Sequence, residues 1–599
     1  MKKKKKKSIG IVFGFIVVAA AIAGSNIYNY YFNTDNQSQA ETETFLQVID
    51  NKNISTDESG VSHIRDVDAL YEDDGMDVVT MYLTVRQGNE IEGTNHTWEE
   101  VNSHSAYYYD ELGIPRYKVE ALLQVGTEEG IPAGNLGFGR TAPNATVQIR
   151  GQSSSKNVQK NYKIKLKENQ GNWNGQTTID LNKHQTDGLR FRNKLGFDIL
   201  KNVDQLMSLR TQFVHLYVND LTDGSDDGFE DYGLYTQVEQ LNKTALRAHG
   251  LDRYGQLYKV NFFEFFRYED AIKLETDPGY DVSKFQQYLE IKGDSDHTKL
   301  IDMLDDLNDY SISIDEVLDK HFDRENLEYW LAFNILTGNV DTQSRNCYLY
   351  SPKNENVWYF ISWDLDGAFR IKENEILTRT DYGSWEKGVS NYWGNVLFNR
   401  CLKSDSFREE LDRAILDLKE NVITPNRISE MITDYRAVVE QYLWNAPDIT
   451  YEQLTPEQYD EVALELPNQI EENYEHYLAS LEKPLPFYVG EPVIEDGKLL
   501  MNWDTAYDFQ QDDITYKAVL SRNYDGEDVV ATYEGVWTKF SCDVPEPGEY
   551  FLSVRAYDDK GNSQECFDYY EEAEVGKTYG VLCFYINEDG TIDRYTVVE

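Results

Sequence analysis

The sequence predicts an α+β fold followed by a separate all-β module. Two observations carry the first part: strand-type alternation dominates residues 78–260, and helical periodicity dominates from about residue 300 to 481. The third is a return to alternation after Pro484 and Pro486, which mark a boundary. With 599 residues the chain exceeds what one hydrophobic core usually serves, and 40% hydrophobic with 27% charged residues is a globular composition.

The elements follow in order. Lys2 to Lys7 precede a nearly continuous apolar run, residues 9–24, containing Ala21-Ile22-Ala23. A charged start, an apolar run and a small-x-small site predict a signal peptide or membrane anchor over residues 1–32. Either leaves the lysines in the cytoplasm and the body outside. Residues 33–75 are polar and read as a flexible tether. Strands are expected at 79–85, 118–125, 147–150, 162–166, 213–218, 234–238 and 257–260, with a helix at 188–200. Helices are expected at 300–307, 323–336 with Asp323 as N-cap, 407–418, 428–443 and 456–481. These elements form one expected domain, 76–484. Beyond it, 499–503, 515–520 and 550–556 alternate cleanly within an expected β-module at 485–575. Residues 576–599 read as an additional hairpin turning at Asn587-Glu588-Asp589-Gly590.

The formal charge is −48, from 57 basic and 105 acidic residues. Such a field repels nucleic acid and anionic lipid, which excludes a DNA- or RNA-binding role and limits membrane contact to the N-terminal segment. It favours divalent cations and basic partners, although solubility alone also accounts for it. Five cysteines, Cys347, Cys401, Cys542, Cys566 and Cys583, give neither a disulfide framework nor a CxxC metal pattern. Cys542 and Cys566 could pair in an oxidising exterior; buried, unpaired thiols are the simpler expectation.

Two constellations carry chemistry. In the first, Arg150-Gly151-Gln152-Ser153-Ser154-Ser155-Lys156 leads through Lys160 into Tyr162-Lys163-Ile164-Lys165-Leu166. A Gly/Ser turn offers backbone and hydroxyl donors, and Lys163 and Lys165 share one strand face, an arrangement able to hold phosphates. A solvated hairpin gives the same pattern. In the second, the loop Gly338 to Asn346, containing Asp341, precedes a predicted hairpin of 347–350 with 358–362, and Asp364-Leu365-Asp366-Gly367 follows. The hairpin would bring Asp341 and Asn346 close to Asp364 and Asp366, and hard oxygens gathered this way suit Mg²⁺ or Mn²⁺. An Asp, then an Asn, a strand pair and a metal-type Asp is the layout of a protein-kinase centre. A simple turn also explains Asp-x-Asp-Gly taken alone.

Taken together, residues 150–166, Arg192-Asn193-Lys194-Leu195, Gly233-Leu234-Tyr235 with Val238-Glu239, Asp341 to Asn346 and Trp363-Asp364-Leu365-Asp366 resemble the CotH family of atypical secreted kinases. The resemblance covers most of 76–484 and implies a kinase-like domain that transfers phosphate from ATP to Ser or Thr with Mg²⁺ or Mn²⁺. It implies that Asp341 orients or deprotonates the acceptor hydroxyl. Asn346 and Asp364 or Asp366 would hold the metal. Lys165, with Lys160 or Lys163, would hold ATP phosphates, assisted by Arg150; Glu239 is a further candidate. Gln159 departs from the family's pattern, leaving Lys160 usable, and Gly134 to Gly139 has its glycines in the wrong order for a nucleotide loop. Trp503, Tyr550 and Val554-Arg555-Ala556 resemble a fibronectin type III sandwich over 485–575. The expected partner is a surface or coat protein, as substrate of an exported kinase. A scaffold with an idle site is the alternative, and a surface glycosidase using paired carboxylates is a third reading that no sugar-cleft motif supports.

Overall fold

The computed structural model describes residues 54–56, 62–72, 75–379, 383–572 and 576–595. The expected export segment lies outside the described residues; among those described, no helix is long and apolar enough to cross a membrane. The expected tether ends earlier than residue 75. A short ribbon pairs β1 (Ile54–Thr56) with β2 (Ser62–Ile64). Ile64 is buried in the main core, and Asp66 lies 2.6 Å from the fully buried His249, so an apolar anchor and an ion pair fix this stretch.

The strand-rich half closes into a seven-stranded barrel. Its strands are β3 (Val79–Arg86), β4 (Lys118–Gly126), β5 (Ala145–Arg150), β6 (Asn161–Leu166), β7 (Thr178–Asn182), β8 (Thr211–Asp220) and β9 (Glu230–Glu239). The order is β3-β4-β5-β6-β7-β9-β8, and β8 returns to pair with β3 in parallel. Alternation decides what fills it: Leu83, Leu123, Val147, Ile164, Leu181 and Leu216 point inward and are almost fully buried. Each such side chain contributes about 1.5–3 kcal/mol relative to exposure. The opposite faces of β5, β6 and β7 carry Arg150, Lys163 and Asp180. Register places Lys163 between Gln148 and Asp180.

A second sheet lies against that outer face, in the order β11-β10-β12-β13. Its strands are β10 (Gln256–Val260), β11 (Leu289–Ile291), β12 (Cys347–Ser351) and β13 (Tyr359–Ser362). Helices Arg324–Thr337, Asp405–Asp417, Pro425–Leu443 and Pro456–Glu482 share its core, with Trp330 packed 4.9 Å from Phe360. Asp323 caps the first of these, its side chain accepting from Asn326 N–H. The chain after Pro486 forms a three-stranded and a six-stranded sheet around Trp503, Tyr516, Leu552 and Phe584. The strand Val581–Ile586 is an inner member of the larger sheet, paired with Gly548–Tyr557 on one side and Ile592–Arg594 on the other. No disulfide links the five cysteines.

Candidate active-site cleft

Two loops meet between the barrel and the second sheet. The Asp341 loop is held from outside: Asn391 Nδ2 donates to Val340 O at 3.0 Å and Asn395 Nδ2 to Gln343 O at 2.7 Å. The Asp364 turn is held from below by helix Arg192–Leu200. Asn193 Oδ1 accepts from Leu365 N at 3.0 Å, and Arg192 Nε donates to Phe369 O at 3.1 Å. Gly196 lets this helix approach, since a Cβ there would stand 2.7 Å from Leu365 Cβ. Trp363 N–H donates to Asn346 O at 3.1 Å, joining the loops through the β12–β13 hairpin. A Cβ on Gly367 would meet Asn339 Oδ1 at 2.7 Å and lie 3.8 Å from Asp341 Oδ2. The predicted approach of the two loops is therefore present. Asn346 and Asp364 both adopt left-handed backbone, at φ 58° and 55°, a strain that marks constrained sites.

Asp364 and Asp366 are pushed apart electrostatically. Enclosure by the cleft walls, with the charge of Asp366 added, raises the Asp364 carboxyl to about 6, although the side chain keeps a solvent-facing surface. Arg150, His184 and Lys259 oppose that rise. Burial acts on Asp366 as well, but His184, whose Nδ1 lies 3.6 Å away, with Arg370 and Arg192 behind it, holds Asp366 down at about 2. No third His, Cys, Asp or Glu among the described residues completes a ligand cluster with these two acids. As metal ligands they would present a carboxylate pair, not a trio of acids, with Asn346 joined to this turn through its backbone O, which accepts from Trp363 N. Hard oxygens of this kind fit Mg²⁺ or Mn²⁺, with water filling the remaining positions.

The lysines divide sharply. Lys163 is half-buried, and burial together with Arg150, Lys259 and Lys292 depresses its pKa while Asp180 opposes. Lys160 donates to Ser155 O at 2.7 Å and ties the Gly/Ser turn together. Lys165 is exposed on the barrel flank, beside Thr146 and Thr178 rather than Asp180. The turn itself is occupied internally. Ser155 Oγ accepts from Ala106 N at 2.8 Å, and Ser154 Oγ from Asn161 Nδ2 at 3.1 Å. Those hydroxyls do not form the open phosphate cradle that the Gly/Ser composition predicts. Arg150 stands over the Trp363 ring at 5.7 Å, with Nε 3.6 Å from Asp180.

Three residues escaped sequence reading. Asp180 is fully buried, and neither carboxylate oxygen accepts a hydrogen bond. Its strand, Thr-Ile-Asp-Leu-Asn, alternates and was legible in principle. Lys259 on β10 is coupled to both Glu290 and Asp364, and burial lowers its pKa. Glu386 has its carboxyl pushed up to about 7 by burial, and the charge of Asp341 adds to the rise. Nothing local in the sequence distinguishes these last two. Asp341 itself is half-exposed and paired with Arg345 at 2.7 Å. Glu239 lies in a different network, bonded to Arg210 at 2.6 Å and His249 at 2.9 Å, and finishes a strand rather than facing the cleft.

The chain is 23% identical over 252 residues to the inner spore coat protein H of Bacillus subtilis (strain 168), covering 42% of this chain. It spans 64% of that relative's length. Among solved structures, the Helicobacter pylori proinflammatory kinase CtkA aligns at 12% identity and a TM-score of 0.24, covering 52% of this chain and 90% of its own. The HipA, HipB and operator DNA complex of the Shewanella oneidensis MR-1 toxin–antitoxin system aligns at 11% identity and a TM-score of 0.20, covering 50% and 58%. Residues 147–477, more than half of the chain, match the family described as CotH kinase protein, and the chain belongs to that family.

Proposed function

We propose that the chain is an atypical protein kinase that transfers phosphate from ATP to a Ser or Thr hydroxyl of a surface or coat protein, with a divalent metal. The observation that carries this reading is the position of Asp364: at the junction of two acidic loops and under the influence of Arg150 and Lys259. Phosphoryl transfer needs positioning and charge neutralisation more than covalent chemistry, and a mixed array of acids and cations supplies both. In this reading Asp364, Asp366 and Asn346 would hold the metal, which would supply neutralisation of phosphate charge. Arg150, Lys163 and Lys259 face the phosphates, Lys163 taking the role that the sequence resemblance gives to Lys165. Asp341 orients the acceptor hydroxyl and takes its proton as the new O–P bond forms and the β–γ bridging bond breaks, releasing ADP. Arg345 must then yield Asp341 to the acceptor.

Similarity to a spore coat protein supports a surface or coat location for the body; contact with a membrane only through the N-terminal segment is part of this proposal and rests on the sequence of that segment. The C-terminal module is fibronectin III-like in this reading. Its three-stranded sheet, its larger partner sheet and the bond from Tyr550 Oη to Glu546 O at 2.6 Å support that assignment.

The competing reading is a scaffold with an idle site, favoured by the Asp341–Arg345 pair. Incorporation of labelled phosphate from ATP, with Mg²⁺ or Mn²⁺, decides between them. Wild type should label a Ser/Thr acceptor, and Asp364→Ala and Asp341→Asn should not. Equally low labelling by all three sinks the kinase reading.

A further inference from the structure

Away from the cleft, two loops of the C-terminal module meet at the end of helix Pro456–Glu482. Asp508 and Asp512 lie on one loop and Asp558 on the other, each offering a ligand atom within 4.8 Å of the rest. Asp508 and Asp558 are both only 6% exposed. Three acids in contact are costly unless something positive joins them. Asp508 is the informative member: Oδ1 accepts from Gln510 N and Asp512 N, while the buried Oδ2 accepts no hydrogen bond at all. Asp512 Oδ2 is likewise shielded from solvent and is paired with Lys560 Nζ at 2.7 Å. Asp558 is better supplied, by Lys560 N, Asn562 N and Asn562 Nδ2.

The helix end adds negative charge. Its last turn contains no basic residue, and its terminal carbonyls carry the negative end of the helix dipole. Leu481 O and Glu482 O are reached by Gln510 Nε2 and Asn562 Nδ2, side chains of the same two loops. Glu482 adds a further carboxylate felt by Lys560. Half-exposed Lys560 is the cation paired with this acid cluster, while Lys483 at the helix C-cap sends its Nζ to Ser384 O at 3.1 Å.

We infer that Asp508, Asp512 and Asp558 form a Ca²⁺ site that fastens the C-terminal module to the end of helix Pro456–Glu482. Ca²⁺ takes six to eight oxygen ligands in flexible geometry, and carboxylates from two loops with water suit it better than the strict octahedron of Mg²⁺. Lys560 then acts as a competing cation that swings outward when the ion binds.

The test uses the full chain, stripped with EDTA. Tb³⁺ emission, sensitised by Tyr507 and by Trp393 at 5.1 Å from it, reports occupancy. Ca²⁺ should displace Tb³⁺ with a half-point of roughly 10⁻⁴–10⁻³ M, and Ca²⁺ should raise Tm by roughly 2–4 °C. Asp508→Asn should lose the signal, and Lys560→Met should bind Ca²⁺ more tightly. Retained binding in Asp508→Asn, or equal displacement by Mg²⁺, overturns the site. Should Asp508→Asn fail to fold by circular dichroism, Lys560→Met decides alone: unchanged or absent Ca²⁺ binding overturns the proposal.

Discussion

Two charge networks lie in the N-terminal α+β part of the molecule, and they differ in how completely they are paired. In one, Asp66, His249, Glu239 and Arg210 form a continuous chain of contacts between 2.6 and 2.9 Å. Its pKa shifts favour the charged forms. Burial opposes both, yet Glu239 falls to about 2 beside His249 and Arg210, and His249 rises to about 10 between Asp66 and Glu239. In the other, Asp180 has two oxygens without hydrogen bonds, Asp364 is pushed up to about 6, and Lys163 and Lys259 are depressed. A network built for stability closes its hydrogen bonds. One that awaits a charged ligand leaves them open and carries the cost in its free state.

The strongest way to break this contrast is Glu239→Gln. It leaves His249 and Arg210 buried with one partner fewer and should cost about 3–5 kcal/mol in urea unfolding. ATP-dependent labelling at a temperature where the variant is folded should stay at the wild-type level. Asp364→Asn should do the reverse. Labelling should fall by roughly 10²–10³-fold, while stability at pH 7 rises by on the order of 1 kcal/mol, the shift being discounted for its solvent-facing surface. Loss of stability in Asp364→Asn would place this acid in the structural class.

Smaller effects sharpen the same distinction. Gly196→Ala should cost about 1–2 kcal/mol, because the new Cβ presses on Leu365 and the helix-propensity gain offsets only part of that. It should also reduce labelling, since Leu365 lies inside the Asp364 turn. Lys163→Met should lower kcat/KM for ATP by roughly 10–100-fold, whereas Lys165→Met, on the barrel flank, should leave it unchanged. Finally, the carboxyls of the two networks, Glu239 and Asp364, respond to pH with opposite sign. Glu239, depressed from 4.5, supplies stability that is present above pH 4.5 and lost as pH falls toward 2. His249, raised from 6.5, supplies stability that is present below pH 6.5 and lost as pH rises through 10. Asp364, raised from 3.8, contributes fully below pH 3.8 and loses that contribution as pH rises through 6. A stability profile of wild type minus Asp364→Asn should therefore fall between pH 4 and 6, and a flat difference rejects the assignment.

Much of the scaffold was legible because its signals are local. The alternation of β3, β4 and β6 and the Asp323 cap were readable within a few residues. β7 was missed because it is only five residues long with two apolar positions, Ile179 and Leu181, and its alternating Asp180 reads as a solvent-facing acid although it is fully buried by the sheet laid over it. The candidate site was legible as two loops and a lysine strand. Which lysine is covered by the second sheet was not, because that depends on which barrel flank the sheet lies over. Lys259 lies 105 positions before Asp364, and no periodicity links them. The same holds for Asp508 and Asp558, which read from sequence only as turn residues.

The parallel seam between Val79–Arg86 and Thr211–Asp220 sets a timetable for synthesis. A polypeptide made from its amino end must keep one flank of its first long strand open until residue 211 has emerged. At about 5–20 residues per second that interval is roughly 7–26 s. Throughout it, an apolar ribbon is available to any other nascent segment. A holding chaperone, or passage through a translocation channel before folding, is therefore a requirement set by topology, whatever reaction the finished molecule performs.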